Sequence, residues 1–178
     1  HTRCADVTGV QTCALRLLLV NFYDSHCTIM VTMDDRKRSD YIGECGTIGY
    51  HYEDHRPDVK IKHPVGVAVS EESVFVSLQK DWRVLSMNKE TEVCMLRVEL
   101  LSSAGYLAHE PVLNVLYIGL ANGIAFNMLD NNSKPGTILV DGYGEGIGSY
   151  ASTGFQNVFD IVVLDVGHLI VSDGGNNR

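Results

Sequence analysis

The sequence predicts an all-β protein made of consecutive antiparallel sheets, and three observations predict it. Short runs rich in β-branched and aromatic residues recur between polar, glycine-bearing turns, at 28–32, 65–69, 74–77, 115–119, 161–164 and 169–171; runs of that length and composition suit strands. The strand–turn–strand pattern returns along the chain. An arginine stands six residues beyond the end of three of these strands, Arg38 after Thr32, Arg83 after Ser77 and Arg178 after Ser172, with Ala125 holding the place in another copy. The resulting steps are 45, 42 and 53 residues, and a four-stranded propeller blade takes about 40–50.

The fullest copy is residues 158–178, VFDIVVLDVGHLIVSDGGNNR. Two apolar runs flank the turn-forming Asp165-Val166-Gly167-His168, and the polar Ser172-Asp173-Gly174-Gly175-Asn176-Asn177 forces a second reversal before Arg178. In its order of strand, turn, strand and D-G-G-N-N-R, this stretch resembles one NHL repeat, the unit of a β-propeller blade. The resemblance implies a partial β-propeller of about three to four four-stranded antiparallel blades over residues 17–178, incomplete at the C-terminus. Unrelated hairpins of a β-sandwich are the alternative architecture.

Taken in order, residues 1–16 resemble a translated sequencing-adapter read-through at Val7 to Leu15, and are expected to be a non-native or disordered leader. Residues 17–23 read as the inner strand of a first blade, turning at Asp24-Ser25-His26 before the strand at 28–32. Gly46-Thr47-Ile48-Gly49 and the polar run His51-Tyr52-Glu53-Asp54-His55 then read as an inter-blade connection. Two histidines and two carboxylates could hold zinc, but that spacing converges best on a helix, and Pro57 follows. The second blade begins at His63, whose lead-in Ile61-Lys62-His63 aligns with Phe155-Gln156-Asn157. Asp81-Trp82 occupies the place of Asn176-Asn177, and residues 96–101 read as an outer strand. His109-Glu110-Pro111 opens the third blade; Gly119 and Gly123 argue against a helix over 113–129. The alternating glycines Gly142, Gly144, Gly146 and Gly148 lack the spacing of a dinucleotide fingerprint and read as a crossing to the last blade.

Composition excludes little. The chain is 45% hydrophobic and 20% charged with formal net charge −8, and no apolar run approaches the ~20 residues of a membrane-spanning helix. The acidic balance opposes polyanionic partners as a whole-molecule effect. Five cysteines without a C-x-x-C pair signal neither a zinc site nor a disulfide framework, so thiols are expected. No catalytic set, metal or cofactor is signalled.

Strand direction alternates within a blade, which places the lead-ins and the second-to-third-strand turns at one end. Loops on a rigid scaffold are where propellers bind. The candidate partner-binding residues are therefore Arg36, Lys37, His63, Lys80, Trp82, Asn157, Asp173, Asn176 and Asn177. Arg38, Arg83 and Arg178 read as structural, because a five-donor guanidinium suits tying turn carbonyls to a strand. Trp82 is either packed under its turn or displayed for a partner. The expected function is a non-enzymatic scaffold binding a protein partner. RNA binding, as the resemblance to NHL domains of TRIM-type ubiquitin ligases implies, is the alternative. A third reading follows from the resemblance to the propeller lyase of peptide amidation, with His63 and His109 at comparable positions and His168 in the opposite turn.

Overall fold

The computed structural model describes residues 17–32, 37–49, 54–55, 59–100, 103–121, 123–129, 138–141, 155, 157–165 and 168–178. The expected leader at 1–16, Arg36 and the glycine-rich crossing from Gly142 to Gly148 lie outside them. The described chain is strand, turn and one short 3₁₀ turn at Gly174–Asn176.

The described strands form four antiparallel sheets. The first holds β1 (Leu17–Phe22), β2 (Cys27–Thr32) and β3 (Arg38–Ile42). The second runs outward from β5 (Pro64–Val69) through β6 (Ser73–Leu78) and β7 (Arg83–Asn88) to β8 (Val93–Glu99), with the two-residue β4 (Asp54–His55) added at its edge. The third holds β9 (Ala104–Glu110), β10 (Val115–Leu120), β11 (Gly123–Met128) and β12 (Ile138–Asp141). The fourth pairs β13 (Val158–Asp165) with β14 (His168–Asp173). Apart from β4, which pairs with β8, the strands of each sheet follow chain order, and β5, β9 and β13 pack side by side. This is a propeller-like arrangement.

Side-chain alternation explains why the sheets stack face to face. On β6, Val74, Val76 and Leu78 enter the core shared with the first sheet, beside Ile42, Val59, Ile61, Leu85 and Met87. Phe75, on the opposite face of the same strand, joins Val84, Val98, Leu107, Leu116 and Ile118 between the second and third sheets. Ile124, Val158 and Ile161 form the smaller core between the third and fourth. A strand buried on both faces loses the apolar–polar alternation of a one-sided sheet, which is why SVFVSL reads as a continuous run.

The inner strands approach closely because of small residues. A β-carbon added to Gly66 would lie 2.6 Å from the Gly105 carbonyl oxygen and 2.9 Å from the Leu107 nitrogen, both main-chain atoms. A register shift between Pro64 and Val67 takes the Gly66 N–H out of the ladder, and the N–H donates instead to Ser77 Oγ at 2.8 Å. The Ser77 hydroxyl in turn donates to the Gly105 carbonyl. One buried serine thus ties the second sheet to the third. Ser77→Ala is expected to cost about 1–3 kcal/mol by orphaning the Gly66 donor, measured as a lowered urea midpoint with unchanged slope.

The first sheet is not placed as the sequence suggests. Residues 17–23 are expected to be an inner strand, yet β1 packs beside β5 as β6 packs beside β9 and β10 beside β13. Those are second-strand positions. Hence β1, β2 and β3 hold the second, third and fourth places of their sheet, and Arg38 begins a fourth strand rather than a third. Cys27, not Arg38, stands where Arg83 and Arg178 stand. The hairpins Leu17–Thr32 and Val158–Asp173 look alike on hydrophobic pattern alone, so the pattern does not distinguish the two placements.

Three further expectations are corrected. The third sheet opens at Ala104, not at His109-Glu110-Pro111, which end its inner strand. The turn between β10 and β11 has only two residues, so Gly123 rather than Ala125 opens the third strand, opposite Leu120. The cysteines also differ: Cys27 and Cys45 form a disulfide with Cα atoms 4.9 Å apart, and Cys94 is buried. The bridge ties the start of β2 to the segment after β3, where the second sheet instead pairs Arg83 with Glu99, 2.7 Å apart across β7 and β8.

Candidate interaction face at the turn end of the sheets

The face is built by a belt of hydrogen bonds joining each lead-in to the adjacent second-to-third-strand turn. The His63 N–H donates to His26 Nδ1 at 3.3 Å. The Gln79 N–H donates to the His63 carbonyl at 3.1 Å, and Ser103 Oγ donates to the Gln79 carbonyl at 3.2 Å. Further along, the Asn157 N–H donates to the Ala121 carbonyl at 2.6 Å, and the Gly174 N–H to the Asn157 carbonyl at 3.1 Å. These bonds satisfy main-chain groups that leave the ladders at the strand ends, as partly buried backbone requires.

In the first, second and fourth sheets the backbone repeats here at matching residues. His63 and Asn157, each just before an inner strand, have φ of 49° and 57°. His26, Trp82 and Asn177, each the last residue of a four-residue turn, have φ of 57°, 55° and 54°. Asparagine tolerates this left-handed conformation and bulky residues do not. Trp82 is nonetheless held there, half exposed, with its carbonyl accepting the Leu100 N–H at 2.8 Å.

The expected site residues separate into groups. His63, Lys80, Trp82, Asn157, Asp173, Asn176 and Asn177 all lie at this end. Lys37 does not: it precedes β3, and the β2–β3 turn lies at the opposite end of its sheet from the β1–β2 turn that meets His63. Arg36 is outside the described residues. Asp173 is buried rather than displayed. Its carboxylate accepts from Asn176 Nδ2 at 2.8 Å and from Arg178 Nε at 3.0 Å, while the two main chains pair. Asn176 and Arg178 thereby fasten the turn.

Sequence reasoning missed a cluster at the joint of the first two sheets. The rings of Tyr23 and His26 pack on His63 with centroids 4.5 Å and 4.8 Å away, and Lys80 Nζ lies 5.9 Å from the Tyr23 ring centre. His63 Nδ1 is buried without a hydrogen-bond partner. Burial first, then the neighbouring charges of Lys80, His26 and Lys62, hold the His63 imidazole below its ordinary pKa, with Asp24 opposing. The signal was present as Tyr23 and His26 in one turn and His63 in the next lead-in, but only the corrected register brings them together.

The histidines of the lyase reading do not converge. His63 precedes β5 at the turn end, whereas His109 sits near the far end of β9, bonded to Asn114 at 3.1 Å. His168 pairs with Asp165 in the hairpin at that far end. Among the described residues no three metal-ligating side chains cluster, and no helix is long and apolar enough to cross a membrane.

No protein-family model matches the chain, and no curated protein matches it. Among solved structures it is similar to a structural genomics protein of unknown function from Bacteroides thetaiotaomicron, at 13% identity and a TM-score of 0.36, covering 96% of this chain and 67% of that one.

Proposed function

We propose that this chain is a non-enzymatic interaction scaffold of the NHL-repeat kind that binds a protein partner through the turn end of its sheets. The observation that carries the reading is Trp82, half exposed and held at φ 55°, where the equivalent turn uses Asn177. Strained backbone persists where something other than stability favours it, and tryptophan is enriched at binding hot spots. Lys80, two residues before it, is exposed, as are Asn157 and Asn177 in the corresponding lead-in and turn of the fourth sheet.

Replacement separates folding from binding. Trp82→Asn is expected to raise stability by about 1 kcal/mol, since asparagine adopts the left-handed region at lower cost; a thermal melt measures it. A displayed peptide library selected in parallel on wild-type and W82N protein tests the interaction. The reading expects peptides retained by wild type and lost from W82N. Peptides retained equally by both would place binding elsewhere. Retention of a single-stranded RNA pool, with steep salt dependence and insensitive to W82N, would favour the RNA alternative.

A further inference from the structure

We propose that the joint between the first and second sheets is an acid-sensitive latch, formed by His26 and His63, that loosens selectively as pH falls while the joint between the third and fourth sheets stays closed. Two corresponding joints in one chain carry the argument. Each is closed by the N–H of a lead-in residue at positive φ, His63 in one and Asn157 in the other. The acceptor for Asn157 is the Ala121 carbonyl, which does not titrate. For His63 the acceptor is an imidazole nitrogen, His26 Nδ1.

An imidazole accepts through Nδ1 only when neutral, with its proton on Nε2; the imidazolium carries N–H on both nitrogens and accepts from neither. Protonating His26 therefore sets N–H against N–H at the latch. His63 is placed to oppose its own protonation. Its Nδ1 is buried without a partner, so an added proton there would have no acceptor. The surrounding groups are Tyr23, Asp24 and His26 from the first sheet's turn, Lys62 from the lead-in and Lys80 from the β6–β7 turn. Asp24 favours the imidazolium, while Lys62, Lys80 and His26 oppose it.

The direction follows from His63 being held below its ordinary value. The unfolded chain binds the proton first, so the latch contributes fully above about pH 6.5 and is lost as pH falls through the lower folded value. Asparagine sits at both corresponding positions in the fourth sheet, Asn157 and Asn177, with matching φ. The left-handed geometry therefore does not itself require histidine.

Hydrogen exchange by mass spectrometry on the wild-type chain at about pH 7.5 and pH 5, corrected for intrinsic rates, tests the latch. Peptides over 43–49 and 59–63 are expected to lose severalfold more protection than those over 157–165, because only the former are closed through an imidazole acceptor. Equal loss in both regions would overturn the proposal. The double variant H26N/H63N is expected to abolish the difference, and a difference that survives it would equally overturn the proposal. Should that variant not fold, the wild-type comparison decides alone.

Discussion

Phe75→Ala is expected to destabilise the protein by about 3–5 kcal/mol, the cost of truncating a buried phenylalanine. Phe75 is 3% exposed on β6 and fills the core between the second and third sheets. Its loss removes contacts with both sheets at once, because Val84 and Val98 belong to one and Leu107, Leu116 and Ile118 to the other. Ile170→Ala is the matched control. Ile170 is a strand residue of the fourth sheet, 53% exposed, and is expected to cost no more than about 0.5 kcal/mol. Urea titration of both variants checks the pair. Similar costs for the two would contradict face-to-face stacking of the sheets.

The second large effect is expected at Glu110. Its side chain is buried, and its two carboxylate oxygens accept from the Val112 N–H at 2.9 Å and the Leu113 N–H at 2.5 Å. The carboxylate thus closes the turn between β9 and β10, where Asn114 adopts φ 51°. Hydrogen bonds to a charged group are worth about 1.5–3 kcal/mol each, and water recovers part of that at an exposed turn. Glu110→Ala is expected to cost about 2–4 kcal/mol, and Glu110→Gln about half as much, since the amide keeps one acceptor oxygen. Equal costs for the two variants would show that packing, not the pair of acceptors, sets the effect.

The parts of the fold legible in the sequence are those where local pattern and tertiary placement agree. β5–β6 and β13–β14 have β-branched runs and turn residues that specify a hairpin without help from the rest of the chain. The alignment of His63 with Asn157, and of Trp82 with Asn177, reappears as matched positive φ. The inner strand β9, AGYLAHE, is hard to read because Ala104, Gly105, Ala108 and Glu110 are weak strand formers. Gly105 is there because neighbouring inner strands approach closely at Gly66 and Gly105, a constraint that no local pattern records. The first sheet was shifted by one strand for a related reason: a hairpin has the same pattern at any place in a blade, and only its neighbours fix which place it holds. The Cys27–Cys45 disulfide was invisible for the same cause, since its 18-residue separation carries no motif.

At the candidate face, asparagines and Trp82 could be assigned to one end from strand alternation alone. The burial of Asp173 could not, because D-G-G-N-N-R reads as a polar surface loop until Arg178 and Asn176 are seen to bind the carboxylate. Nor could the contact between His26 and His63, which are 37 residues apart.

Trp82 is the one tryptophan in the chain, so its intrinsic fluorescence reports on the proposed interaction face and nowhere else. Acrylamide quenching of the folded protein, compared with the same protein in urea, tests directly whether that side chain is displayed. The account predicts that native Trp82 is quenched readily, at a rate approaching that of the unfolded chain, with emission characteristic of a solvated ring. Strong protection from quencher with blue-shifted emission would mean that the ring packs beneath its own turn, and the interaction face built around it would be wrong.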